Sequence, residues 1–149
     1  KFQDFAVHET VHAFSAFQKL PLWLNEGLAV VTQDRYKGTP VVRTETLEYL
    51  KPQTGEKGEA NAKKGFEYGQ LHRMGKDRIL ANFVRGYWFT RYLEEAFPGF
   101  ISQLLKEPLR KNRPLIDKKI ADLLDIEPGE LWSNVDTIIL DHFSPGKSG

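Results

Sequence analysis

His8, Glu9 and His12 stand at the spacing H-E-x-x-H, as His8-Glu9-Thr10-Val11-His12. On an α-helix, residues four apart lie on one face, so His8 and His12 can reach a single metal ion from the same side. Glu9 points about a quarter-turn away, where it can hold a metal-bound water and accept its proton. This is the arrangement of a zinc hydrolase. The competing reading is two incidental histidines on an ordinary helix.

A second segment bears on that choice. Pro21-Leu22-Trp23-Leu24-Asn25-Glu26-Gly27-Leu28-Ala29-Val30-Val31 reads as a helix opened by Pro21, whose fixed φ and missing N–H suit a first helical position. It is apolar almost all round, as a buried helix is. Glu26 lies in its middle, and a buried carboxylate is protonated, ion-paired or bound to metal, because leaving it charged and alone costs several kcal/mol. Two imidazoles and one carboxylate make a catalytic zinc set with a fourth position left for water. An ion pair from Glu26 to Arg85 or Arg91 is the rival explanation.

His8-Glu9-x-x-His12, with thirteen residues between His12 and Glu26, and the segment Trp23-Leu24-Asn25-Glu26-Gly27-Leu28-Ala29 together resemble the gluzincin metallopeptidases, the thermolysin-like and zinc-aminopeptidase-like enzymes, and most closely their small bacterial members. Phe83-Val84-Arg85-Gly86-Tyr87-Trp88-Phe89 with Arg91-Tyr92-Leu93 resembles the next helix of that family. Leu123-Leu124-Asp125-Ile126 with Glu130-Leu131-Trp132 resembles its C-terminal pattern. The resemblance implies a mainly α, zincin-like catalytic domain in which the H-E-x-x-H helix packs, antiparallel or crossed, on a second ligand helix. The class becomes α+β if an upstream sheet is counted. It also implies one Zn2+ held by His8, His12 and Glu26, Glu9 as general base, and a peptide or protein substrate.

A hydrolysis of this kind needs a second stabiliser for the tetrahedral oxyanion. In the resembling aminopeptidases that group is a tyrosine on a later helix. At the matching position this chain has Phe83. Tyr87, one turn further on, is the substitute, with Tyr68 and His72 as alternatives; each also has a plain packing or surface reading. His142, near the end of the last helix, suits the negative end of the helix dipole. The alternative function is a zinc-binding module of the same fold without turnover. Gluzincins place a β-sheet ahead of the H-E-x-x-H helix, and here Lys1 stands only seven residues before His8, so the chain reads as a fragment lacking that sheet.

The remainder of the chain has to position these residues. Its 149 residues suffice for one core. The expected division is a catalytic domain over 1–143 and a disordered tail over 144–149. Hydrophobic residues make up 40% and the formal net charge is +1, so nothing in the overall charge points to nucleic acid. No apolar run approaches the roughly 20 residues that span a bilayer. There is no cysteine, which excludes disulfides and thiolate metal sites.

The spacing predicts a first helix over 2–19 with its zinc face between apolar flanks, Val7, Val11, Phe14 and Leu20 on one side and Ala6, Ala13 and Phe17 on the other. The second helix is expected to end near Asp34, followed by a turn, a short strand at Val41-Val42 and a Thr44-capped helix to Leu50. Lys51 to Gly65, rich in lysine and glycine, reads as a mobile loop, either a lid or a solvated linker. A long helix capped by Asp77 is expected over 78–96, and its Gly86 calls for close approach of another backbone such as the zinc helix. Helices over 100–106, 117–124 and 128–143 complete the reading, with a basic loop over 108–114.

Overall fold

A computed structural model of the chain describes residues 2–51, 75–107 and 113–144. Among the described residues the protein is mainly helical and contains no strand. Six α-helices follow in order: α1 (Phe2–Ser15), α2 (Leu22–Lys37), α3 (Lys76–Ala96), α4 (Phe100–Leu104), α5 (Arg113–Leu124) and α6 (Leu131–Phe143). Short 3-10 turns cover Ala16–Gln18, Thr44–Tyr49 and Pro128–Glu130. No helix among the described residues is long and apolar enough to cross a membrane.

The first helix is shorter than its pattern predicts. It tightens into the 3-10 turn after Ser15, and Lys19 then adopts a left-handed conformation (φ 48°) that reverses the chain. Pro21 sits one position outside α2 rather than inside it. Its carbonyl accepts the first helical bonds, from the N–H groups of Leu24 (3.1 Å) and Asn25 (3.0 Å). At its other end α2 runs on to Lys37, and Gly38 closes it in the left-handed region (φ 70°), donating to the Asp34 carbonyl.

The expected strand at Val41-Val42 does not form. The Val41 N–H is bound at 2.6 Å by the Asp34 carboxylate and so is taken by a side chain rather than a ladder. Nor does Thr44 cap the next turn, which Arg43 precedes without a side-chain cap. Similarly Gly75, not Asp77, occupies the N-cap of α3: its carbonyl takes the N–H groups of Arg78 and Ile79, and Asp77 falls in the first turn, where a carboxylate suits the dipole. Residues 52–74, which hold most of the mobile loop expected over 51–65, residues 108–112 of the basic loop expected over 108–114, and the tail beyond Ser144 lie outside the described residues.

The core is built on α3. Trp23, Phe89 and Trp132, from α2, α3 and α6, meet with ring centroids 5.1–5.9 Å apart, and all three are buried. Such tilted and edge-on aromatic contacts add to the area they bury. The indole N–H groups do not go unpaired: Trp132 donates to Asp117 (3.0 Å) and Trp88 to Thr46 (2.9 Å). Arg85 and Asp136 form a buried two-point ion pair between α3 and α6 at 2.6 and 2.8 Å, and Arg85 also donates to Asn82.

The helices α2 and α3 approach each other closely. A Cβ on Gly27 would lie 2.1 Å from the Thr90 hydroxyl and 2.4 Å from the Gly86 carbonyl oxygen, and one on Gly86 would lie 2.7 Å from the Trp23 carbonyl oxygen. Glycine on both helices is what lets the backbones approach. The backbone that Gly86 meets is therefore that of the Glu26 helix, not of the H-E-x-x-H helix. Packing at this crossing leaves the Thr90 hydroxyl buried without a hydrogen-bond partner.

Candidate metal centre

The donor set is assembled by a helical hairpin. α1 packs on α2, and the six residues between them turn the chain back. His8 and His12 stand one turn apart on α1 and bring their rings edge to face, with centroids 4.6 Å apart. Glu26, in the second turn of α2, comes up beside them.

Three atoms define the centre. The Nε2 atoms of His8 and His12 are 2.9 Å apart, and the Glu26 Oε2 is 3.8 Å from the first and 3.6 Å from the second. A triangle with those sides has a circumradius of about 2.0 Å, so a single point lies at zinc–nitrogen and zinc–oxygen bonding distance from all three atoms. These residues form the group able to hold a metal ion among those described. The donor side chains retain about a fifth of their exposure, 23, 22 and 18% for His8, His12 and Glu26. The three donors are thus partly open to solvent rather than enclosed.

The arginine alternatives for Glu26 are taken elsewhere. Arg85 is bound to Asp136 and Arg91 to Glu95. Glu9 is exposed, on the solvent side of α1 next to His8.

Tyr87 is not brought to this centre. It is 2% exposed and its hydroxyl donates to the Asp34 carboxylate at 2.5 Å. Asp34 lies two helical turns beyond Glu26, on the order of 12 Å along α2. Burial, followed by the hydrogen bond to Asp34, pushes the Tyr87 hydroxyl up to about 12 from its ordinary 10.0. Its expected role as oxyanion donor is corrected accordingly: helical periodicity put it on a buried face, and the partner that face meets is Asp34. Phe83 is 39% exposed. Tyr68 and His72 lie outside the described residues. His142, at the end of α6, lies at the surface with its Nε2 3.3 Å from the Glu95 carboxylate.

The apolar flanks expected around the zinc face are covered only in part: Leu20 is buried and Val7 and Val11 are half-buried, whereas Phe14 is 86% exposed and Ala6 and Ala13 are exposed, as is the neighbouring Phe5. Within the described residues α1 has α2 as its main support. Sequence reasoning missed one contact in that interface: the Ser15 hydroxyl donates to the Asn25 side-chain oxygen at 2.6 Å. A serine three residues after the second histidine and an asparagine directly before Glu26 were its only signals.

Comparison with protein-family models gives no match, and neither curated proteins nor solved structures yield a relative of the chain.

Proposed function

We propose that the chain is the catalytic part of a zinc-dependent peptidase of zincin-like type. The observation that carries this reading is the convergence of the His8, His12 and Glu26 donor atoms around one point at bonding distance for zinc. The order of the motifs, and their resemblance to gluzincins, support it. When bound, zinc supplies Lewis acidity and brings the pKa of a coordinated water near neutrality.

The chain's own residues do the rest. His8 and His12 present imidazole nitrogens, and Glu26 presents a carboxylate oxygen. Glu9 takes a proton from the water as its oxygen adds to the peptide carbonyl carbon. It then gives that proton to the departing nitrogen as the C–N bond breaks, leaving a carboxylic acid, which keeps the second water hydrogen, and an amine. The open side of the centre gives an extended peptide room to lie across it.

Protein purified without chelator is expected to hold about one zinc per chain. His8→Ala and Glu26→Ala should each lose most of it. Glu9→Gln, which keeps size and hydrogen bonding, should retain zinc and lose peptide hydrolysis. Full zinc retention in both ligand variants overturns the site, and a fully active Glu9→Gln overturns the mechanism. A second reading, a zinc-binding module without turnover, is favoured by the engagement of Tyr87 with Asp34, which removes the expected oxyanion donor. Zinc binding by a wild-type protein that cleaves nothing in a broad peptide library would select that reading.

A further inference from the structure

We propose that Ser15 and Asn25 are positioning residues that set the register of the two ligand helices and so the shape of the metal centre. The inference rests on the zinc reading above. His8 and His12 come from α1 and Glu26 from α2, so the donor triangle exists only while the two helices hold one axial alignment. A metal bonded at about 2.1 Å to each donor spans separations no wider than about 4.2 Å. The widest separation, 3.8 Å between His8 and Glu26, is already close to that limit. A slide of α1 by one residue's rise, about 1.5 Å, takes that separation past the limit when it runs along the line joining the two donors.

Apolar contacts resist separation of two helices better than they resist sliding, because dispersion and burial are non-directional. Phe5 and Phe14 of α1 are largely exposed, and Gln18, just past the helix, ties the turn to the Leu105 carbonyl rather than to α2. The Ser15–Asn25 bond supplies the missing direction. Ser15 is 9% exposed and lies three residues after His12, while Asn25 is the neighbour of Glu26. Their bond, 2.6 Å long, therefore joins the turn that follows one ligand to the residue beside another. The same hydroxyl is also 3.3 Å from the His12 carbonyl oxygen, which keeps its rotamer turned back along α1. Partners of this kind, which touch no metal, set metal affinity by orienting the groups that do.

The test compares wild type, Ser15→Ala, Asn25→Ala and the double variant, each checked for folding by far-UV circular dichroism. Zinc affinity is measured by competition with a chelator, and the visible spectrum of the cobalt-substituted protein reports the symmetry of the site. Ser15→Ala is expected to weaken zinc binding about 10–100-fold and to alter the cobalt bands. Ser15→Thr, which keeps the hydroxyl, should restore both. Ser15→Ala in the Asn25→Ala background should cost nothing further, since the bond is already gone. Tyr87→Phe, a loss of a buried hydrogen bond two turns away, should leave affinity and spectrum unchanged. Wild-type affinity and cobalt bands in Ser15→Ala overturn the latch while leaving the zinc reading intact. A wild type that binds neither zinc nor cobalt overturns both.

Discussion

At the scale of single residues, two acidic and phenolic groups that look alike in sequence have opposite fates. Glu26 and Asp34 lie on the same helix, yet one faces two imidazoles and the other a tyrosine hydroxyl and a backbone N–H. Tyr87 therefore belongs to the scaffold. Its raised pKa makes a pH prediction with a definite sign. The folded value is about 12 against an ordinary 10.0, so the stability it contributes is complete below about pH 10 and is lost as pH rises through about 12. In an absorbance titration of the phenolates, a late step near pH 12 is expected, and it should vanish in Tyr87→Phe. That variant should also lose roughly 1.5–3 kcal/mol of stability, the range for a hydrogen bond to a charged group. A large fall in zinc affinity in the same variant would contradict this assignment.

Helix contacts decide what the single residues can do. The crossing of α2 and α3 holds Glu26's helix in place, and it depends on two glycines. Alanine is ordinarily better than glycine inside a helix by about 1 kcal/mol. At Gly27 the sign reverses, because an added methyl would lie 2.4 Å from the backbone oxygen of Gly86, which cannot rotate away. Gly27→Ala is expected to destabilise the protein by about 1–3 kcal/mol in denaturant unfolding. A stabilised Gly27→Ala would show that the helices are not this close. Between α3 and α6 the buried Arg85–Asp136 pair plays a similar part. Burial raises the Asp136 carboxyl, and Arg85 pulls in the other direction. Asp136→Asn leaves the guanidinium in the core without its counter-charge and should cost about 3–5 kcal/mol. An unfolding midpoint unchanged from wild type would mean that water or another acceptor reaches Arg85.

For the whole molecule, the distribution of support is uneven. The core gathers around α3, whereas α1 leans on α2 and exposes much of its apolar surface. Two of the three proposed ligands lie on that less supported helix. A metal that bonds α1 to α2 would therefore stabilise the folded state through mass action, since it binds the assembled site and not the unfolded chain. At a zinc concentration of about 100 times Kd the gain is about 2.7 kcal/mol. For a domain of this size, chelation should lower the Tm by about 5–10 °C. The His8→Ala variant should show no such shift, and equal shifts in both proteins would point to zinc acting elsewhere.

Local spacing was enough to place His8 and His12 on one helical face, to pick out Glu26 as a carboxylate in an apolar helix, and to find most of the helices, because each of these depends on residues within a turn or two of one another. Gly86 was legible as a close approach for the same reason, though not the identity of the backbone it meets. The strand expected at Val41-Val42 and the caps expected from Thr44 and Asp77 failed because a polar partner elsewhere, or a neighbouring residue one or two positions away, took the backbone group first. Tertiary structure alone decided where Tyr87 points, which partners Arg85 and Arg91 choose, and that Ser15 meets Asn25. Those outcomes depend on which face of one helix is laid against which face of another. A sequence specifies its helical faces residue by residue, but their alignment is set by packing, glycine clearance and the few directional bonds that survive at the interface.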